Sequence, residues 1–458
     1  MQNLKSKDQH TILAAALQLD IFNLNYVFSS RIFIRFLAPP GRVLPQKGLL
    51  IRIAVFVKHM LDQLNFQAWK DEQHIPQNAF IFFAESQNQK DSLKPVVDCL
   101  KNSFLIGENG DYSFQKTKFK GYLYSIPFLF FIFYHFIKSK GIQKKSFYYN
   151  FDRYWFTYGF YIAARKWLRG KKPVTLSMSN DHVVENRVML KAAQDEGIPV
   201  IYFQHASVTD EFPPLTYDYA FLEGQDALKT YSEIAPSRTK VFLIGAPKFD
   251  KYRSFTNQNE KVGSIGICTN LQDPVEKTEE ILTRIQKEFS GLKIYFRPHP
   301  SEKKKHVWQA ICSQRGLIYS DPNGEESFEF LRKVDCVIAG NSNIHLEAAL
   351  LNVVPLFYDF SEKGNRGSYS FVSQGLCEFF FDPDCLIQKI LELTESKENV
   401  RGRAKYYIDT IGSHFDGLSS KLARSLYEDL FISKRINDAN WYLLDNANIE
   451  AYSQNETN

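Results

Sequence analysis

The sequence lacks the short motifs that mark several large classes of nucleotide and metal enzymes. It contains no GxxxxGK[ST] phosphate loop and no GxGxxG fingerprint, which argues against kinase-type and dinucleotide chemistry. It also contains no HExxH zinc motif and no strong Asp-x-Asp pair. We therefore expect a reaction that needs neither a metal ion nor a cofactor, with cationic side chains and helix N-termini acting on any phosphate.

Cysteine is scarce, and its six positions form no recognisable pattern. None belongs to a CxxC pair, so the sequence indicates neither a zinc site nor a thiol redox motif. Cys268 and Cys336 lie inside apolar strand-like runs and are expected to be small core residues. Free cysteines of this kind fit a reducing, cytoplasmic compartment, and the first residues lack the pattern of a cleaved secretory signal.

A large excess of charge of one sign is also missing. Lys and Arg number 56 against 51 Asp and Glu, so the formal net charge is +5. That balance gives no reason to expect a nucleic-acid surface, although it tolerates an anionic substrate or a membrane face. The length of 458 residues and the 44% of hydrophobic residues predict two or three domains with sizeable cores.

Hydrophobic runs fall short of a membrane span, but one aromatic-rich run comes close. Residues 121–137 are apolar, contain Pro127 and His135, and are shorter than the roughly twenty residues that cross a bilayer. Two interpretations stay open. We favour a buried helix of a large domain. The alternative is a helix in the membrane interface across residues 121–145, anchored by aromatic rings and by Lys138, Lys140, Lys144 and Lys145.

What the chain does contain is a long alternation of strand-like and helix-like segments. After helical spacing in the first 75 residues, short apolar runs alternate with amphipathic segments to about residue 430. Such alternation predicts an α/β fold with two doubly wound, Rossmann-like domains. The predicted parts are a helical extension (1–75), two domains (76–250 and 261–430) separated by a polar linker, and a polar tail (431–458).

Residues with useful chemistry follow two strands of the second domain. Arg297-Pro298-His299-Pro300 comes directly after the apolar run 293–296. Asn341-Ser342-Asn343 comes after the run 334–339 and before a predicted helix. The carboxyl ends of parallel strands are where open α/β sheets bind nucleotides. Cationic donors on one loop and free backbone N–H groups on the other suit a phosphate leaving group.

An ordered set of motifs across residues 174–420 resembles the bacterial capsule and surface-polysaccharide transferases. This group includes CDP-glycerol glycerophosphotransferase-like proteins, Kdo transferases and polysialyltransferases. The resemblance implies a GT-B fold, in which two Rossmann-like domains face a cleft, one for the acceptor and one for the nucleotide donor. The motifs are Asn180-Asp181-His182, 197–205 with Gln204-His205, 217–224, Arg297-Pro298-His299-Pro300, Asn341-Ser342, Glu347-Ala348-Ala349 and Phe415-Asp416-Gly417.

In this resemblance His299 contacts the phosphate of the nucleotide donor and Glu347 reaches its ribose. An imidazole N–H beside the departing phosphate would stabilise the charge that develops there. The structural alternatives are a loop held by prolines for His299 and a favourable helix-dipole charge for Glu347. For Arg297 two roles stay open: a second phosphate donor, or a partner for an acid such as Asp321.

Asn341, Ser342 and Asn343 complete the predicted donor site at the entry of the helix that begins near Ile344. Free N–H groups and a hydroxyl at a helix N-terminus bind phosphate. The alternative for Ser342 and Asn343 is an ordinary helix cap.

A base must also remove the proton of the acceptor hydroxyl, and we prefer His205. It ends a strand of the first domain, and imidazole titrates near the working pH of most enzymes. Asp181 and Glu85 also follow strands and are the other candidates. The family motif usually has glycine after Gln-His, whereas this chain has Ala206, so the backbone there must have an α or β conformation.

Together these observations predict a metal-independent, inverting glycosyltransferase of capsule, lipopolysaccharide or other surface-polysaccharide synthesis. The expected donor is a CMP-, CDP- or UDP-linked sugar or polyol phosphate, and the expected acceptor is a glycan or glycolipid. We expect a cytoplasmic protein without cofactor or nucleic-acid partner, with 121–145 as its peripheral membrane contact. Two alternatives stay open: a UDP-sugar 2-epimerase of the same fold, or a non-catalytic assembly partner that keeps it.

Overall fold

The computed structural model describes most of the chain after the first 47 residues. Part of the predicted helical extension and the candidate base Asp181 therefore lie outside the described residues. The described ranges are 48–180, 183–209, 212–271, 273–361, 364, 366–367, 369–433, 441–445 and 448–452.

Helices make up much of the described chain. Short 3₁₀ segments occur at Ile126–Phe128, Pro247–Tyr252 and Arg401–Tyr406, and a π-helical turn at Glu428–Ser433. The α-helices are α1 Leu49–Asp62, α2 Phe66–Gln73, α3 Gln87–Cys99, α4 Gln115–Ser125, α5 Leu129–Lys138, α6 Gly141–Lys171, α7 Val184–Asp195, α8 Gln225–Ile234, α9 Val275–Glu288, α10 Lys305–Arg315, α11 Ser327–Leu331, α12 Ile344–Leu350, α13 Pro383–Glu395 and α14 Ser419–Tyr427.

The strands are short and mostly buried. They are β1 Phe80–Phe83, β2 Ser103–Ile106, β3 Thr175–Met178, β4 Val200–Phe203, β5 Tyr219–Leu222, β6 Ser237–Leu243, β7 Ser264–Cys268, β8 Lys293–Arg297, β9 Ile318–Tyr319, β10 Cys336–Ala339, β11 Val354–Tyr358, β12 Glu378–Phe380, β13 Trp441–Asp445 and β14 Asn448–Tyr452.

The chain divides into two compact units, and unit 1 holds the larger sheet. Unit 1 comprises Met1–Leu222, Leu228–Lys248 and Ser420–Asn458. Its strand order is β14-β13-β6-β5-β4-β3-β1-β2, and the pairs from β6 to β2 are parallel. Only β13 and β14 run antiparallel, as a hairpin at one edge. This hairpin lies in the segment that the sequence led us to interpret as a polar tail.

The core of unit 1 includes strands that are apolar along their whole length. All four residues of β1 and of β4 are buried, as expected for parallel strands covered by helices on both faces. Phe82 and Phe203 pack with Tyr427 of α14, whose ring is fully buried. Burying a large side chain of this kind contributes roughly 1.5–3 kcal/mol. The sequence placed α14 at the end of the second domain, and the structure packs it in unit 1; the predicted domain boundaries stay a prediction.

Residues 121–137 form two helices rather than one. Helix α4 ends at Ser125, a 3₁₀ turn covers Ile126–Phe128, and α5 begins at Leu129. Pro127 has no backbone N–H, so it cannot donate the bond that would continue α4. The side chains of Phe130, Tyr134 and Ile137 on α5 are 83%, 55% and 56% exposed. The favoured interpretation, a buried helix, is therefore wrong for α5, although Phe128 and Ile132 are buried.

Unit 2 comprises Glu223–Ala227 and Phe249–Ser419 and contains a wholly parallel sheet. Its strand order is β12-β11-β10-β7-β8-β9. The core lies between this sheet and its helices, where Ile267, Phe296 and Leu356 are fully buried. The predicted α/β class with two doubly wound sheets is confirmed.

Candidate functional site

The candidate donor site lies at the carboxyl edge of the unit 2 sheet, where the strand order reverses. The chain runs from β7 to β8 and β9 on one side, then returns to β10 on the other side of β7. Ala339, Cys268 and Arg297 end β10, β7 and β8 and lie in register across these neighbouring strands. Open α/β sheets bind ligands at such switch points. The loops after these strands can therefore share one ligand.

The two predicted donor loops flank the end of β7. The loop of His299 follows β8, and the loop of Asn341 follows β10. Because neighbouring strands are about 4.8 Å apart, two strand intervals separate these loops by roughly 10 Å. Such a spacing places the end of β7, and the loop that follows it, between the two predicted donor loops.

A backbone hydrogen bond determines which ring nitrogen of His299 carries the proton. The backbone N–H of Ser301 donates to Nδ1 of His299 at 3.0 Å. Burial lowers the pKa of His299, which favours the neutral ring. A neutral ring that accepts at Nδ1 carries its proton on Nε2. His299 therefore has an N–H donor at Nε2.

Arg297 is already engaged inside unit 2. Its guanidinium donates to Oγ of Ser320 at 2.7 Å and to the carbonyl oxygen of Glu325 at 2.8 Å, and it lies over the ring of Phe330. The Glu325 carboxylate is 4.0 Å away, so the acid beside Arg297 is Glu325 and not Asp321. These contacts favour the structural role of the two left open. Direct phosphate binding by Arg297 stays a prediction.

The loop after β10 is held by a buried histidine. Nε2 of His345 donates to the carbonyl oxygen of Gly340 at 2.8 Å, and burial lowers the pKa of His345 to about 4. A neutral imidazole donor thus fixes the start of the loop that carries Asn341, which is exposed. Oγ of Ser342 accepts from the N–H of Ile344, the first residue of α12, at 3.3 Å, whereas the N-cap position itself belongs to Asn343.

Asn343 is the residue before α12, and Glu347 lies in its first turn. Burial raises the pKa of the Cys268 thiol to about 12, Arg297 opposes that shift, and Glu347 adds to it. The Glu347 carboxylate is therefore close enough to the end of β7 for its charge to raise the pKa of Cys268. Its predicted contact with a ribose stays a prediction.

Sequence reasoning missed the loop after β7. A Cβ atom on Gly340 would lie 3.3 Å from Oδ1 of Asp273 and 3.4 Å from Nδ2 of Asn270, so this loop packs against the loop after β10. Burial raises the pKa of Asp273 to about 6. The hydrogen bond from the Asn270 N–H opposes this shift, and the charge of Asp359 adds to it. The signal was available, because residues 269–273 follow a strand that the sequence predicted.

The Phe415-Asp416-Gly417 motif has a structural role in unit 2. Asp416 accepts two bonds of 2.7 Å from Arg401, which lower the pKa of Asp416. Arg401 also donates from Nε to the carbonyl oxygen of Leu350 at 3.1 Å, at the end of α12. Gly417 has a φ of +65°, which favours glycine. The motif therefore braces the helix that carries Glu347.

Unit 1 has its own switch point, between β1 and β3. The chain runs from β1 outward to β2, then returns to β3 on the other side of β1. Glu85 follows β1, Asn180 follows β3 and His205 follows the next strand, β4. His205 is half-buried, and its carbonyl oxygen accepts from Nζ of Lys248 at 3.2 Å. Ala206 lacks a positive φ, as its side chain requires.

Glu85 belongs to a buried ionic cluster. Nζ of Lys118 donates to Glu85 and, at 3.2 Å, to Glu108, and Arg153 pairs with Glu185. Burial raises the pKa of Glu85, against the attraction of Lys118. A carboxylate with a raised pKa suits proton transfer near neutral pH. Glu85 therefore remains an alternative to His205 as the base.

Among the described residues, no group of three or more His, Cys, Asp and Glu side chains is arranged to hold a metal ion. Metal independence stays a prediction. We expect that dialysis against EDTA leaves the transfer rate unchanged, because cationic and N–H donors are available for the phosphates. Activity that disappears on chelation and returns with Mg²⁺ or Mn²⁺ would refute this expectation.

No protein-family model and no curated protein matches the sequence. Solved structures do share its fold. A UDP-GlcNAc 2-epimerase from Neisseria meningitidis, bound to UDP-GlcNAc, is 14% identical with a TM-score of 0.52, covering 76% of this chain and 99% of its own. A UDP-N-acetylglucosamine 2-epimerase is 12% identical with a TM-score of 0.50, covering 79% and 99%.

The wall teichoic acid polymerase TagF is also similar, at 12% identity and a TM-score of 0.47, covering 84% of this chain and 98% of its own. The two epimerase structures share the GT-B type of fold with this chain, at sequence identities of 14% and 12%.

Proposed function

We propose that the protein transfers a sugar or polyol phosphate from a nucleotide-linked donor to an acceptor hydroxyl. The observation that carries this proposal is the neutral Nε2–H of His299 at the switch point of unit 2. In such a reaction the acceptor oxygen forms a bond to the transferred group while the bond to the nucleotide phosphate breaks. Negative charge then grows on the leaving phosphate, and a hydrogen-bond donor placed there lowers the barrier.

The remaining roles follow the resemblance and the two switch points. Asn341, Ser342 and Asn343 would hold the donor phosphates with backbone and side-chain donors, and Glu347 would take the ribose hydroxyls. His205 would accept the proton of the acceptor hydroxyl. The product class would be a capsule, lipopolysaccharide or other surface polysaccharide, made with inversion from a CMP-, CDP- or UDP-linked donor.

A UDP-sugar 2-epimerase is the second candidate, favoured by the two solved epimerases that share the fold. One experiment separates the candidates. The protein is incubated with UDP-GlcNAc alone, and then with panels of nucleotide donors with and without glycan acceptors. A transferase releases nucleotide only when donor and acceptor are both present. Conversion of UDP-GlcNAc to its 2-epimer without acceptor would establish the second candidate and refute the first.

We also propose a peripheral membrane contact through residues 121–145. No helix in the described part of the chain is both long and apolar enough to cross a membrane. The exposed Phe130 and Tyr134 can lie at the headgroup level, and Lys138, Lys140 and Lys144 can meet anionic lipid. Each lysine near such a surface contributes about 1 kcal/mol.

We therefore expect salt-sensitive co-sedimentation with vesicles that contain phosphatidylglycerol, and little binding to phosphatidylcholine. Phe130→Ser should weaken this binding, because it removes the most exposed ring of α5. Phe381→Ser is the matched control, since Phe381 is 52% exposed in unit 2. Equal loss in both variants, or no binding at low salt, would count against the contact.

A further inference from the structure

Unit 1 contains a second site that the proposed reaction does not use. A cavity of about 260 Å³ lies between α2, α4 and α6 and is lined by Lys116, Lys120, Lys166 and Lys171. We call it the lysine pocket. Helix α6 ends at Lys171, just before β3 begins. The pocket therefore adjoins the amino ends of the strands, the opposite edge of the sheet from Glu85 and His205.

The charge of the lysine pocket is unbalanced. Its one carboxylate, Glu72, is buried and already accepts from the N–H of Thr117 at 3.1 Å and from the Thr117 hydroxyl. Within the described part of the chain, none of the four lysines forms an ion pair with a carboxylate. Four lysines thus line the same pocket as a single carboxylate, and each oxygen of that carboxylate already accepts a bond from Thr117.

The contacts of the lysines show the same shortage of negative charge. Nζ of Lys171 donates to the carbonyl oxygens of Ile75 and Gln73, which are neutral acceptors. Lys166 lies over the ring of Tyr124 at 4.2 Å. Burial lowers the pKa of Lys171, Glu72 opposes that shift, and the positive charge of Lys116 adds to it. An anion in the pocket would relieve this repulsion.

Trp167 also lines the pocket. Its Nε1–H has no accessible surface, so a ligand in the pocket meets the ring of Trp167 and not this donor. The lysines therefore set the chemistry of the ligand. A tetrahedral oxyanion offers several acceptor oxygens and negative charge at once.

We propose that the lysine pocket binds the phosphate or diphosphate group of an anionic ligand. Pockets for whole drug-sized ligands start at roughly 300 Å³, so the cavity suits a headgroup rather than a complete nucleotide sugar. The same chemistry is offered by soluble phosphate esters and by phosphorylated lipids. Helix α4, which carries Lys116 and Lys120, also exposes Leu123, so both sources can reach the pocket. The site does not depend on the proposed transfer reaction.

Inorganic pyrophosphate is the probe for this site in the full chain. We expect saturable binding, seen as a change in tryptophan fluorescence. The Trp167→Phe variant should lose this fluorescence change but still bind pyrophosphate, as measured by calorimetry. Lys116→Gln with Lys120→Gln should weaken the affinity at least tenfold. Lys101→Gln, an exposed lysine of the same unit, is the matched control. His299→Ala should leave the Trp167 signal intact, which separates this site from the donor site.

Vesicles identify the source of the phosphate. If binding to phosphatidylglycerol vesicles is lost in the double variant and competed by pyrophosphate, the pocket takes a lipid headgroup. If only soluble pyrophosphate and phosphate esters bind, it takes a soluble ligand. The proposal is overturned if pyrophosphate does not bind the full chain saturably. It is also overturned if pyrophosphate binds the double variant as tightly as it binds Lys101→Gln. A folded Lys166→Gln variant repeats the test if the double variant does not fold.

Discussion

Replacing His299 by alanine is expected to lower the rate of transfer by about a hundredfold or more while the fold is kept. The reason is the position of its Nε2–H at the switch point of unit 2, where the charge of a leaving phosphate would develop. His299 is only half-buried, so the substitution removes little core packing. The measurement is nucleotide release at saturating donor and acceptor, with thermal unfolding as the check on the fold.

Asparagine at position 299 distinguishes catalysis from loop structure. Its side-chain oxygen can replace Nδ1 as the acceptor for the Ser301 N–H, but it supplies no donor where Nε2 stands. We expect His299→Asn to be as inactive as His299→Ala. His306→Ala, at an exposed histidine of α10, is the matched control and should retain full activity. An asparagine variant within a few fold of the original rate would assign His299 to the loop instead.

The sequence predicted the buried parallel strands better than the aromatic-rich helices, for a physical reason. Strands of a parallel sheet are buried on both faces and appear as continuous apolar runs, as at β4 and β11. Helix α6 shows no such signature, because Tyr154, Trp155 and Phe156 are consecutive and all buried. A helix that packs on several sides has no single apolar stripe to detect.

The residues of the candidate site could likewise be predicted only in part. Loops with motif residues, such as that of His299, could be predicted because prolines and a strand end mark them. The partners of Arg297 could not, since Ser320 and Glu325 meet it only through the pairing of β8 with β9 and the turn that follows. The loop of Asp273 could have been found from its place after the strand that became β7, but the burial of Asp273 beside Gly340 could not.

His205 presents the sharpest test of the proposed base. One bond of its backbone uses the carbonyl oxygen, which accepts from Lys248, so a change of side chain keeps that bond. A base acts only in the transition state, whereas the donor phosphates would be held by His299 and Ser342 in unit 2. Loss of the base should therefore appear in the rate and not in donor affinity.

We expect His205→Ala to lower turnover by roughly a hundred- to ten-thousand-fold while the dissociation constant of the nucleotide donor stays unchanged. Single-turnover rates and calorimetric donor binding measure the two quantities separately. His74→Ala, at an exposed histidine of unit 1, is the matched control. Weakened donor binding with a normal rate at saturation would make His205 a donor ligand. If neither quantity changes, the proton is taken elsewhere, and Glu85→Gln and Asp181→Asn become the variants that identify the base.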